Sequence, residues 1–97
     1  RFIFEGFLPP KKGRAGRLEE ISLESKTIVL YESPHKLLKL LYQMIPIFGS
    51  QRKIVVVREI SKLYESTFRG TIQEAKAFFE ENIPKGEFVL VVEGIKK

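Results

Sequence analysis

The chain has 97 residues, is 43% hydrophobic, carries a formal net charge of +5 and contains no cysteine. This suits one domain, residues 1–97, around one core, and it excludes disulfides and thiolate metal sites. There is no apolar run of the roughly 18 residues that a membrane span needs and no signal-peptide pattern, so the expected compartment is the cytoplasm.

Phe2 to Leu8 reads as a strand interrupted at Gly6, where a bulge is expected, and Pro9 and Pro10 end it. Phe2, Phe4 and Phe7 are read as core residues in preference to a base-stacking platform. A chain that opens at Arg1 and is already strand-like at Phe2 suggests a piece of something longer. Lys11 to Gly16 reads as a polar, basic loop. Arg17 to Leu23 follows as a short amphipathic helix, with Leu18 and Ile21 inward and Glu19, Glu20 and Glu24 outward. The first 18 residues hold Arg1, Lys11, Lys12, Arg14 and Arg17 against Glu5 alone, so the basic character of the chain is concentrated there. Such a stretch can track phosphates or simply be a soluble connection.

Ile28 to Tyr31 is a continuous apolar run, the pattern of a strand covered on both faces. Glu32 ends it, Ser33 is a helix N-cap, and Pro34 suits the first helical position. Leu37, Leu38, Leu40, Leu41, Met44 and Ile45 then form a broad apolar helical stripe, with Pro46 and Gly49 expected to close the helix. Ile54 to Val57 is a second fully apolar strand, and this βαβ unit should be parallel and right-handed. A partly exposed strand is expected from about Tyr64 to Phe68. Thr71 and Glu74 form a capping box for a helix that turns Ala75, Phe78 and Phe79 to the core and ends at Asn82, Pro84 and Gly86. Phe88 to Val92 is the last apolar strand. The predicted fold is α/β, a mixed five-stranded sheet with about three helices in the order βαβαββαβ.

Polar residues gather where the buried strands end: Glu32 and Ser33 after the first, Arg58 and Glu59 after the second. In open α/β sheets such ends are where ligands sit. All 12 acidic residues are Glu, so an Asp-based acid–base pair or an aspartate-rich cation loop is excluded within this chain. His35 is the lone histidine, and with no Cys or Asp beside it no metal site is expected. Ser33 and His35 stand two apart at a helix start and point in different directions, so they make no hydrolytic triad. Gly6, Gly13 and Gly16 fit neither a P-loop nor a dinucleotide fingerprint.

Several segments together carry a family resemblance: FEGFLP at Phe4 to Pro9, KKGR at Lys11 to Arg14, YESPHK at Tyr31 to Lys36, VVVREISKLYE at Val55 to Glu65, RGT at Arg69 to Thr71 and KGEFVLVVEG at Lys85 to Gly94. In order and spacing the chain resembles the C-terminal half of the bacterial small-subunit ribosomal RNA (cytidine 2'-O) methyltransferase family, within the tetrapyrrole methylase superfamily. The resemblance implies a two-domain homodimeric enzyme that binds S-adenosylmethionine between its halves, with this chain as the second half and the glycine-rich cofactor motifs in an N-terminal domain. It implies cofactor contacts at Tyr31, Glu32, Ser33, Val57, Arg58, Glu87 and Phe88. Lys11, Lys12, Arg14 and Arg17 are the candidates for holding ribosomal RNA or the small ribosomal subunit. Glu59, Lys62 and Glu65 are possible contributors near the reacting hydroxyl, with no catalytic base assigned. The corrin-modifying relatives usually carry an apolar residue at the position of Glu32, which favours the RNA branch. The alternatives are a tetrapyrrole methyltransferase half and a non-catalytic RNA-binding module.

Overall fold

A computed structural model describes residues 2–61 and 64–96, with the side chains of residues 59–61, 64 and 65 left aside. The element order is β1 (Phe2–Phe7), α1 (Lys11–Ser22), β2 (Thr27–Glu32), α2 (Pro34–Phe48), β3 (Lys53–Ser61), β4 (Tyr64–Thr71), α3 (Ile72–Glu81) and β5 (Glu87–Val92). The strands form one five-stranded sheet in the order β1-β2-β5-β3-β4. β1 runs parallel to β2, while β5 is antiparallel to both β2 and β3, which are therefore parallel to each other. This is the predicted α/β architecture.

The topology also decides where the helices lie. Two connections, β1 to β2 and β2 to β3, step across the sheet one way; the third, β4 to β5, steps back on reversed strands. Right-handed crossovers of this kind put every helix on the same face. Burial follows that rule. Ile28, Leu30, Ile54, Val56, Phe88, Leu90 and Val92 are buried beneath Leu18, Ile21, Leu37, Leu40, Leu41, Met44, Ile72, Ala75 and Phe79 in one continuous core. The residues that alternate with them on the sheet, Val29, Val55, Val57, Val89 and Val91, are only half-buried, and Tyr31 is exposed. The expectation of strands covered on both faces is thus corrected: among the described residues, one face has no helix over it.

The same face takes the phenylalanines. A register shift between Phe4 and Gly6 lets Phe4 pair with Val29 and Phe7 with Tyr31, so both rings lie on the uncovered side. Gly6 permits this with a backbone φ of 70°. Phe2, Phe4 and Phe7 are 61, 56 and 68% exposed, against the expectation that they belong to the core. Phe4 and Phe7 pack edge-on to Tyr31, with ring centroids 5.3 and 5.5 Å away.

Local differences from the sequence reading have identifiable causes. The basic stretch after Pro10 is the start of α1, kinked at Lys12 and Gly13. Pro46 lies inside α2, close enough to its end that the missing N–H costs one bond, and Gly49 closes the helix three residues later. The Thr71 capping box is present, with the Thr71 amide donating to Glu74 Oε1 at 2.8 Å and the Glu74 amide to Thr71 Oγ1 at 3.1 Å.

Candidate cofactor and RNA site

The ends of β2 and β5 and the middle of β3 meet above α2, because Glu32 and Arg58 both pair with Phe88 while Tyr31 and Val57 both pair with Val89. Around this meeting point lies a cavity of about 490 Å³, within the span of roughly 300–1,000 Å³ typical of small-molecule sites. Its floor is Tyr31, Val57 and Val89 on the uncovered face, with Phe7 at one side. Ser33 and Pro34 bring the start of α2 to it, and Glu87 supplies a carboxylate. Glu32 and Phe88 also line it, although their side chains turn to the helix layer and are 6 and 2% exposed, so they offer the cavity chiefly backbone.

Tyr31, Glu32, Ser33, Val57, Glu87 and Phe88, the positions marked by the resemblance, are therefore brought together. Arg58 is not among them. Strand alternation turns it from Val57 to the opposite face, where its Nε donates to Ser66 Oγ at 3.0 Å and it lies near Phe78 and Phe79. Phe7, Pro34 and Val89 were missed; the bulge at Gly6 was the available signal for Phe7. Ser33 occupies the N-cap position of α2 but makes no side-chain capping bond. Glu59, Lys62 and Glu65 lie outside the described residues and side chains.

The cations read as RNA contacts divide. Arg14 is buried: its guanidinium donates to Glu32 Oε1 at 2.8 Å, Gln43 Oε1 at 3.0 Å and the Pro9 carbonyl at 3.3 Å. Glu32 completes the network by accepting from the Ser33 amide at 3.0 Å. Arg14 thus locks the start of α1 to the end of β2, with its guanidinium engaged within the chain. Arg17 is half-buried and engaged by Glu5, at 2.5 and 2.7 Å, and by Glu20 at 3.1 Å. The Arg17 hydrogen bond holds the Glu5 carboxyl below its ordinary pKa of 4.5, against the opposing effect of burial. Lys11 and Lys12 are exposed, and neither is ion-paired among the described residues. No group of acidic residues and histidine that could hold a metal occurs among the described residues, and no helix there is long and apolar enough to cross a membrane.

This mixed five-stranded sheet with three helices is a fold that also occurs in methyltransferases of known structure. The chain superposes on cobalt precorrin-4 methyltransferase, a cobalamin biosynthetic enzyme, with a TM-score of 0.66 at 17% identity, covering 96% of this chain and 40% of that one. Uroporphyrin-III-C-methyltransferase from Thermus thermophilus gives a TM-score of 0.60 at 17% identity, covering 95% of this chain and 37% of that one. These likenesses show the fold. In sequence the chain is homologous to a segment of the proteins named ribosomal RNA small subunit methyltransferase I. It is 47% identical to that of Synechocystis over 97% of this chain and 34% of the relative, and 42% identical to that of Thermotoga maritima over 97% of this chain and 42% of the relative. The family resemblance read from YESPHK and its companions is borne out. The chain spans between a third and a half of the length of these relatives. No protein-family profile matches it.

Proposed function

We propose that this chain is the C-terminal domain of a two-domain, S-adenosylmethionine-dependent methyltransferase that modifies the ribose 2'-hydroxyl of a cytidine in small-subunit ribosomal RNA. The observation that carries this is the convergence of Tyr31, Glu32, Ser33, Val57, Glu87 and Phe88 on one cavity in a chain homologous to ribosomal RNA small subunit methyltransferase I proteins. The cavity suits the cofactor in size and in its mixture of apolar floor and strand-end backbone groups. Tyr31, Val57 and Val89 would take apolar surface of the cofactor, with Ser33 and the backbone at Glu32 and Phe88 as polar partners.

When bound, S-adenosylmethionine supplies a methyl group activated by its sulfonium. The contribution of this chain is to hold it in one orientation, since transfer needs in-line alignment of hydroxyl and methyl. The catalytic base is assigned to no residue here. What closes the cavity must lie over Tyr31, Val57 and Val89, and we place the enzyme's own N-terminal domain on that uncovered face, with the working unit a homodimer in the cytoplasm. Lys11 and Lys12 are retained as RNA contacts. A tetrapyrrole substrate shares the fold, but sequence identities of 40–47% to proteins named for ribosomal RNA, against 17% to the tetrapyrrole enzymes, favour RNA.

The test is methyl transfer by the full-length protein from labelled S-adenosylmethionine to small ribosomal subunits, with nucleoside mass spectrometry of the product. The expected product is 2'-O-methylcytidine. Base methylation, or label passing only to a porphyrinoid, would overturn the substrate assignment.

A further inference from the structure

A further cavity, of about 410 Å³, lies between the starts of α1 and α2, and apart from Pro10 every residue that lines it is a lysine or arginine: Lys11, Lys12, Arg14, Lys36 and Lys39. Arg14 is already neutralised by Glu32, whereas none of the four lysines is ion-paired among the described residues. Lys36 and Lys39 are exposed and stand three apart on α2, on one face of the helix. The fold has therefore set two lysines of α2 beside two from a segment some 25 positions earlier.

Local energetics oppose this arrangement. Helix N-termini carry partial positive charge and favour acidic residues in their first turn, yet α2 has none there, and Ser33 makes no side-chain capping bond. The four lysines bring like charge to one concave surface, and the carboxylate on this side, Glu32, is already engaged by Arg14 and by the Ser33 amide.

Glu32 lines the candidate cofactor cavity and Arg14 lines the cationic one, so their 2.8 Å ion pair links the two. We propose that the cationic cavity is the seat for backbone phosphate of the substrate RNA next to the modified nucleotide, with Lys11, Lys12, Lys36 and Lys39 as its ligands. This rests on the RNA methyltransferase reading and adds Lys36 and Lys39, which the sequence reading did not single out. The buried Arg14–Glu32 pair positions this seat against the cofactor cavity.

The experiment compares the full-length protein with its K36Q/K39Q variant, and with K26Q/K53Q, which removes the same charge from the opposite end of the sheet. Affinity for small-subunit ribosomal RNA is measured across a salt series, and affinity for S-adenosylhomocysteine by calorimetry. K36Q/K39Q should weaken RNA binding at least about tenfold and lower the log–log salt slope by about 1.4–1.8, the share of two phosphate contacts. S-adenosylhomocysteine binding should be unchanged, K26Q/K53Q should behave as the parent, and K36R/K39R should restore binding. An unaltered slope in K36Q/K39Q, or an equal loss in K26Q/K53Q, would overturn the phosphate seat and leave the methyltransferase reading standing. A parent that binds S-adenosylhomocysteine but no ribosomal RNA would overturn both.

Discussion

Arg14 and Arg17 lie three residues apart in one basic stretch, but their surroundings give them different roles. Arg14 and Glu32 have side chains only 11 and 6% exposed, and their charges are satisfied by each other, by Gln43 and by two backbone groups. Removing one member of such a pair leaves an uncompensated charge in a medium that solvates it poorly. Arg17 is 37% exposed, and water takes over when its partners are lost. Arg14→Gln should therefore lower unfolding free energy by about 3–5 kcal/mol, and Arg17→Gln by about 0–1 kcal/mol, read from urea denaturation midpoints. Equal effects would show that the Arg14–Glu32 pair is solvated and does not act as a buried tie.

At the scale of elements, the segments that close the sheet depend on close backbone approach. The amide of Ile95 donates to the Glu24 carbonyl at 2.8 Å, and Arg52 ties the Glu93 and Ser22 carbonyls together at 3.0 Å each. Arg52 also lies 5.1 Å from the centre of the Phe48 ring, and burial lowers its pKa. Gly94 sits in this junction, where an added Cβ would come within 2.1 Å of the Ser25 carbonyl oxygen. Backbone cannot swing aside as a flexible side chain can. Gly94→Ala should cost about 1–3 kcal/mol, seen as a lower urea midpoint with an unchanged slope. An unchanged midpoint would mean that the β5 exit relaxes freely.

For the whole molecule, the decisive feature is that all the helices share one side. Phe2, Phe4, Phe7 and Tyr31, together with Val29, Val55, Val57, Val89 and Val91, make the other side an apolar surface. Contiguous exposed apolar area of this kind marks an interaction face. The isolated 97-residue chain should therefore bind a hydrophobic dye and self-associate in sedimentation, and F4S/F7S should reduce both. A parent chain that stays monomeric and dark would show that this face is not adhesive. The same face carries the floor of the candidate cofactor cavity, so the surface and the site belong to one arrangement.

The sequence by itself determined the elements and their order. Apolar runs, the Thr71 capping box and the Ser33-Pro34 helix start are local signals, because backbone preference and side-chain period act over a few residues. The positions at Tyr31 to Ser33, Val57 and Phe88 came from the family resemblance, whereas the bulge at Gly6 was legible from the glycine itself. Only the tertiary structure decided which face each side chain met. A fully apolar strand has no alternation to show which side is left bare, so the uncovered face and the exposed phenylalanines were not legible. Nor could charge alone separate Arg14 from Lys11 and Lys12, because burial of an arginine depends on a carboxylate 18 positions away. The meeting of Lys36 and Lys39 with Lys11 and Lys12 likewise exists only once α1 and α2 have packed on the same side of the sheet.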